Sequence, residues 1–229
     1  MAGKIAGYWK LRRRFAKWAG LAVLGFYLCI ALSLLLLRLV DPWTTAVHIE
    51  RRVQSWTQKG TYRKTYDFVP MAQISPALQH AVVAAEDARF YQHHGFDWTE
   101  LQNAVDARME GGRSRGASTI TQQLIKNLYL TTSRSVLRKG LEATIVPLAE
   151  LLLGKKRILE LYLNVIEFGP GVYGAEAASR LYYKIPARRL SREQAIDLAT
   201  VIPLPLRRRP GRVGWYAAII SGRMAQMGW

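Results

Sequence analysis

The fold is read from "GASTITQQLIKN", residues Gly116–Asn127. Ile120, Leu124 and Leu128 recur at helical spacing, so the segment reads as a helix with one apolar arc to bury. Thr119, Gln123 and Lys126 fall on a different face, a hydroxyl, an amide and an ammonium in a row. A merely solvated face favours Glu and Lys. This row therefore reads either as harmless polar surface or as the lining of a groove, with Lys126 the point charge suited to a phosphate. The segment before it, "EGGRSRGAS", is a glycine-bearing basic loop. Arg113 and Arg115 add charge there, and the glycines let backbone N–H groups approach an anion.

Outward from this segment the helical pattern continues. Ser75-Pro76 opens a helix with Leu78, Ala81, Val82 and Ala85 on one face. Asp97 caps the next, with Glu100 in the capping-box position. A long helical stretch covers 134–153, another runs from Lys155 to Asn164, and Ser191 with Gln194 caps a last clear one. "FGPGVYG" (168–174) reads as a loop by its glycines and proline. No internal repeat is visible and no run alternates strongly enough to demand a sheet, so the chain is predicted to be mostly α. Pro147 interrupts the long stretch, where it removes a backbone donor at a cost of about 3 kcal/mol if unaccommodated.

The N-terminal forty residues have another character. Trp18–Leu37 carries no charge over a length of roughly 30 Å as a helix, the thickness of a bilayer's hydrocarbon core. A secretory signal is the alternative, but its apolar run is ordinarily about 7–15 residues and no small-residue cleavage site follows here. Lys4, Lys10, Arg12, Arg13, Arg14 and Lys17 precede the span with no acid among them, which predicts a cytoplasmic N-terminus. The expected organisation is a basic tail (1–17), a transmembrane helix (18–40), a connector (41–69) and a folded domain (70–229). The single cysteine, Cys29, lies in the span, so the exported part has no thiol. Seven of the 33 basic residues and none of the 16 acids precede Asp41, which leaves a formal +10 beyond it. Such an excess favours an anionic partner. Zinc-finger spacing and basic–aromatic alternation are missing and the domain is expected outside the cytoplasm, so nucleic acid is not the partner, and a membrane-associated phosphate compound fits.

Three further clusters carry potential chemistry. "AAEDARFYQHHGFD" sets Glu86 and Asp87 at the end of a small, apolar helical face. A carboxylate there reads as a partly desolvated general base, or more plainly as one of two surface acids in helix ion pairs. His93 and His94 lack the HExxH spacing of a zinc site. Arg134, Arg138 and Glu142 follow one another at i, i+4. They read as exposed ion pairs of about 0.3–0.5 kcal/mol each, or as a site for a phosphate or its metal ion.

Taken together, five blocks resemble, in order, the peptidoglycan glycosyltransferase family, the glycosyltransferase module of bifunctional penicillin-binding proteins that also occurs alone as monofunctional transglycosylases. They are "EDARFYQHHGFD" (Glu86–Asp97), "GASTITQQLIKN" (Gly116–Asn127), "RKGLEA" (Arg138–Ala143), "KKRILELYLNVIEFGPGVYGAEAAS" (Lys155–Ser179) and "SREQAIDLATVIPLP" (Ser191–Pro205). No transpeptidase segment follows, and the monofunctional form is expected.

The resemblance implies a lysozyme-like helical domain with a small membrane-proximal lobe, behind one N-terminal transmembrane helix. It implies transfer of the growing glycan from undecaprenyl diphosphate to the 4-hydroxyl of lipid II, with inversion and β-1,4 linkage, in cell wall biogenesis. It implies Glu86 as base and Glu142 in the diphosphate or metal region, with Mg2+ or another divalent cation as cofactor. Lys126 and Arg134 fall on phosphate-contacting positions, and so do Arg89 and Arg138. Asp87, Phe90, His93, Thr119, Gln123 and Asn127 match positions that shape the cleft.

The implied partners are lipid II, the undecaprenyl-diphosphate glycan strand, the membrane and other wall-synthesis and division proteins. The implied location is the bacterial inner membrane, with the catalytic domain periplasmic. By analogy with inverting glycosidases, whose carboxylates stand about 6.5–9.5 Å apart, Glu86 and Glu142 are expected to face each other. A lysozyme-like hydrolase and a catalytically silent wall-complex scaffold are the rival readings. The tail, "LRRRPGRVGWYAAIISGRMAQMGW", matches no catalytic block and reads as a solvated basic stretch plus an amphipathic helix, or as a headgroup contact through Trp215, Tyr216 and Trp229.

Overall fold

The structure, a computed structural model, describes residues 2–57, 62–111 and 118–229, apart from the side chains of 2–8, 10 and 11. Helix α1 (Ala2–Leu37) precedes α2 (Ala46–Ser55), strand β1 (Thr65–Tyr66), α3 (Pro76–Glu86) and α4 (Trp98–Met109). Then come α5 (Ile120–Tyr129), α6 (Val136–Val165), the strands β2 (Glu167–Gly169) and β3 (Val172–Tyr173), α7 (Ala175–Tyr183), α8 (Arg192–Val201) and α9 (Gly214–Gln226). The mostly helical expectation holds, with one correction. "FGPGVYG" is not a plain loop: it turns β2 back on β3, and β1 adds to β3 in parallel to make a small sheet ordered β1-β3-β2. Its strands are two or three residues long, too short for a period-2 pattern to show in sequence.

Helix α5 forms as its spacing predicts. Ile120, Leu124 and Ile125 are fully buried against α6, each worth about 1.5–3 kcal/mol on removal from water. Helix α3 packs against both α8 and α9, and its buried residues Leu78, Ala81, Val82, Val83, Ala84 and Ala85 cover most of its circumference. Such a helix is a core rod, and its last residue, Glu86, is carried to the end of that rod. The capping signals at Asp97 and Ser191 are both used: Asp97 accepts the Glu100 N–H at 3.0 Å, and Ser191 with Gln194 forms a full capping box.

Pro147 is accommodated. It lies on an exposed face of α6, and the interruption in α6 falls at Gly154 instead, with φ 71° and ψ 161°. The two helical stretches expected on either side of that position are therefore the two arms of α6.

Residues 41–69 do more than connect. Val47 of α2 is buried, Arg51 pairs with Glu167 at 3.1 Å, and β1 completes the sheet. Helix α1 contains a segment, Arg12–Leu37, long and apolar enough to cross a membrane, with mean hydropathy 2.5 and most of its surface open. Its C-terminal half docks on the domain. Ile30 and Leu34 are buried there, and the Tyr27 hydroxyl donates to Thr144 Oγ1 at 2.7 Å. Arg157 closes the end of the helix, donating to the carbonyls of Leu37 (2.8 Å) and Val40 (3.2 Å) and pairing with Asp41. These bonds satisfy carbonyls that a helix end leaves without partners.

One glycine is required by geometry near the site. Gly95 has φ +92°, and a Cβ there would overlap Val146 Cγ1 of α6. Gly95→Ala is expected to destabilise the domain by about 2–4 kcal/mol, combining left-handed backbone strain with overpacking. Urea unfolding of the two proteins measures it, and equal midpoints would contradict the assignment.

Candidate active site

Glu86 is half-buried at the C-terminus of α3, and its two oxygens have different fates. Oε2 accepts a hydrogen bond from Gln123 Nε2 at 2.8 Å, whereas Oε1 is buried with no hydrogen-bond partner among the described residues. Loss of water pushes the carboxyl's proton affinity up. The Gln123 bond and the positive charges of Lys126 and Arg208 draw it back, Asp87 adds a smaller upward push, and the net direction is up. A carboxylate with an unengaged oxygen and raised basicity has the character of a general base.

Gln123 sets the orientation. Its Oε1 accepts the Tyr162 hydroxyl at 2.9 Å, which leaves its NH2 for Glu86. Tyr162 is fully buried, and desolvation, reinforced by Glu86 and Asp87, pushes its phenol far up, so it donates. Asn127 acts one turn further along, donating to the Gln123 carbonyl at 2.8 Å.

Glu86 stands where two cavities of opposite character meet. One, of about 370 Å3, is lined by Glu86, Ser118, Gln123, Lys126, Arg208 and Trp215. The other, of about 220 Å3, holds Glu86 with Asp97, Glu100, Thr119 and Arg223. Lys126 extends the basic side, since it also lines a larger cavity of about 490 Å3 with Arg51, Arg134 and Arg207. Among the described residues no hydrogen bond or ion pair engages the Lys126 ammonium. Burial pulls its pKa down, Glu142 and Glu86 push it back up, and Arg138 and Lys139 add to the downward pull. An ammonium in that setting is ready to meet an anion.

Glu142 lines a space of about 150 Å3 with Lys126, Gln123, Arg138 and Lys139, and Ser118, Gln123 and Lys126 line both this space and the cavity of Glu86, so Lys126 stands between the two acids. Both of its oxygens are engaged from its own helix, by Arg138 Nη1 at 2.5 Å and by Lys139 Nζ. The i, i+4 spacing at Arg138 is therefore a buried pair at the site wall, not an exposed ion pair. Arg134 is exposed at the rim of the cavity of about 490 Å3.

The other residues of the first two blocks build the frame. Asp87 is buried, accepting from His93 Nε2 at 2.9 and 3.1 Å and from the Ile120 N–H, the first of α5, at 3.0 Å. His93 Nδ1 accepts the Gly95 N–H at 3.1 Å, which places the ring proton on Nε2. Thr119 leaves the row read from the sequence. It is the N-cap of α5, in a capping box with Gln122, and its hydroxyl donates to the Gly95 carbonyl at 2.7 Å. The 100° helical step could not separate a cap from a face. Phe90 is fully buried beneath the Lys155 ammonium, 4.4 Å from its ring, and Arg89 lies 3.4 Å from Asp97. Asp87, His93 and Asp97 bring ligand-type atoms within 4.8 Å of one another, but both His93 nitrogens are already engaged within the loop. Arg113 and Arg115 lie outside the described residues.

Several residues at or behind the site escaped the sequence reading. The sequence reading gave no role to Tyr162, which bonds Gln123, or to Lys139, and it left Arg51 in the connector. The tail was read as solvated, yet Arg208 lies near Glu86, donating to the Thr200 carbonyl at 2.8 Å with its guanidinium over the Tyr216 ring. The signal available was the triple arginine one residue after the fifth block.

A family model described as Transglycosylase matches residues 51–224. A biosynthetic peptidoglycan transglycosylase of Pseudomonas putida (strain W619) is 44% identical over 222 residues, 95% of this chain and 92% of the relative. Relatives of the same name from Aeromonas hydrophila (43% over 222 residues, 95% and 94% of the two chains) and Shewanella oneidensis (41% over 220 residues, 94% of each) are similar along the same length.

Proposed function

The chain belongs to the transglycosylase family, and from that premise we propose how it works as a peptidoglycan glycan-strand polymerase, with Glu86 as general base and Lys126 as the cation at the donor's diphosphate. The observation that carries this reading is the cavity that Glu86 and Lys126 share, in which one acid oxygen and one ammonium are both unengaged by the described residues.

The step balances as an inverting displacement. Glu86 takes the proton of the lipid II 4-hydroxyl as that oxygen bonds to the donor's anomeric carbon. The bond from that carbon to the diphosphate oxygen breaks on the opposite face, and undecaprenyl diphosphate leaves with the electron pair. Its negative charge is met by Lys126, with Arg134 and Arg207 further out along the basic cavity. Gln123 keeps the base aimed, and Asp87, His93 and Thr119 hold the loop that brings α3 and α5 together.

The expected Mg2+ does not fit at Glu142 as it stands, because Arg138 and Lys139 already occupy both carboxylate oxygens and a divalent ion would have to displace a cation from a buried acid. The reaction is therefore written with side-chain cations alone. The basic residues before the span favour a cytoplasmic N-terminus, which sets the domain outside the inner membrane beside its lipid-linked substrates. That location is also where wall-synthesis and division proteins would meet it.

Purified full-length protein incubated with lipid II, with Mg2+ or with EDTA, tests the reading. Glycan polymer and released undecaprenyl diphosphate are expected, with turnover of the same order in both conditions. Shortening of preformed glycan without polymer would identify a hydrolase instead, and complete loss of turnover in EDTA would restore a metal to the site.

A further inference from the structure

The tail reaches the last turn of α3 with two donors. A helix leaves its final four carbonyls without intrahelical partners, which in α3 are those of Val83, Ala84, Ala85 and Glu86. The Asp87 N–H takes the first, at 2.9 Å. The next two are met from α9: Arg223 Nη1 donates to Ala84 O at 2.9 Å and lies 3.5 Å from Ala85 O, and the Tyr216 hydroxyl donates to Ala85 O at 3.1 Å. Tyr216, Ile220, Arg223 and Met224 follow one another at helical spacing. Ile220 and Met224 are fully buried, so one face of α9 both seals against the domain and aims the two donors. The carbonyls they hold belong to the two residues immediately before Glu86. Arg223 also brings its positive charge to the negative end of the α3 dipole.

We propose that Arg223 and Tyr216 are positioning residues for Glu86, holding the end of α3 so that its carboxylate stays against Gln123 and open to the shared cavity. The proposal rests on Glu86 being the base. Without these donors the last turn of α3 must find water or unwind, and Glu86 loses its register with Gln123, the kind of small misplacement to which catalysis is very sensitive.

The experiment uses the full-length protein in detergent with lipid II. It compares wild type, Arg223→Met, Arg223→Lys, Tyr216→Phe, Glu86→Gln and the Glu86→Gln/Arg223→Met double variant. Arg223→Met is expected to lower kcat by about 10- to 100-fold, with KM for lipid II within about twofold of wild type. Arg223→Lys, which keeps a cationic donor, regains most of the loss. In the Glu86→Gln background Arg223→Met has no further effect, because both act through one group. Wild-type kcat in folded Arg223→Met, or an undiminished effect of that substitution in the Glu86→Gln background, overturns the positioning role. Should Arg223→Met not fold, Tyr216→Phe, which removes one hydroxyl, decides: a several-fold lower kcat at unchanged KM supports the role and wild-type kcat overturns it. A fully active Glu86→Gln overturns the reading of Glu86 and this role together. An inactive Glu86→Gln beside a fully active Arg223→Met overturns this role alone.

Discussion

Glu86→Gln is expected to reduce polymerisation by about 10²- to 10⁴-fold, the usual contribution of a positioned general base. Gln matches the carboxylate in shape and keeps an acceptor for Gln123 Nε2, so the site's architecture survives. Stability is expected to hold or rise. Burial raises the Glu86 pKa in the folded protein, so the fold favours the protonated acid. That preference is fully present below the unfolded-state pKa and disappears as pH rises through the folded one. At neutral pH the ionised group is therefore a burden that the neutral amide removes. The wild-type kcat/KM profile should carry an acid limb above the ordinary carboxylate range, and the variant should lack it. Turnover in Glu86→Gln within a few fold of wild type, measured by lipid II consumption, would reject Glu86 as the base.

The second large effect is expected from Lys126→Ala. A charged hydrogen bond to a phosphate contributes roughly 1.5–3 kcal/mol, which corresponds to a loss in donor affinity of about 10- to 100-fold. The same substitution has a second signature. Lys126 draws the Glu86 pKa down, so its removal should move the acid limb to higher pH. A lysine acting only as surface charge would do neither. Normal donor affinity together with an unmoved acid limb would take Lys126 out of the phosphate site.

Glu142 and Thr119 show where residue spacing stops being informative. The i, i+4 relation of Arg138 and Glu142 is the same on a wet surface and in a buried wall, and only the burial of Glu142 separates the two. Thr119 shares a helical face with Gln123 on paper, but α5 begins after it, and its hydroxyl serves the capping box and the Gly95 carbonyl. The small sheet went unseen for a related reason, because β1 pairs with β3 across more than a hundred residues and no strand is long enough to declare itself alone.

Residue pattern alone was enough for the helical class, the membrane-length segment and the capping signals at Asp97 and Ser191, while for Glu86 and Lys126 it left a plain surface reading open beside the functional one. Each of these depends on neighbours within a turn or two, or on a motif held in a continuous run. Which oxygens are engaged was settled by packing. Gln123 meets Tyr162 from 39 positions away, and Arg223 meets Ala84 from 139. Whether a carboxylate ends up open to a cavity, like Glu86, or closed between two cations, like Glu142, follows from which distant groups arrive beside it and how much water they exclude, and no local spacing encodes that.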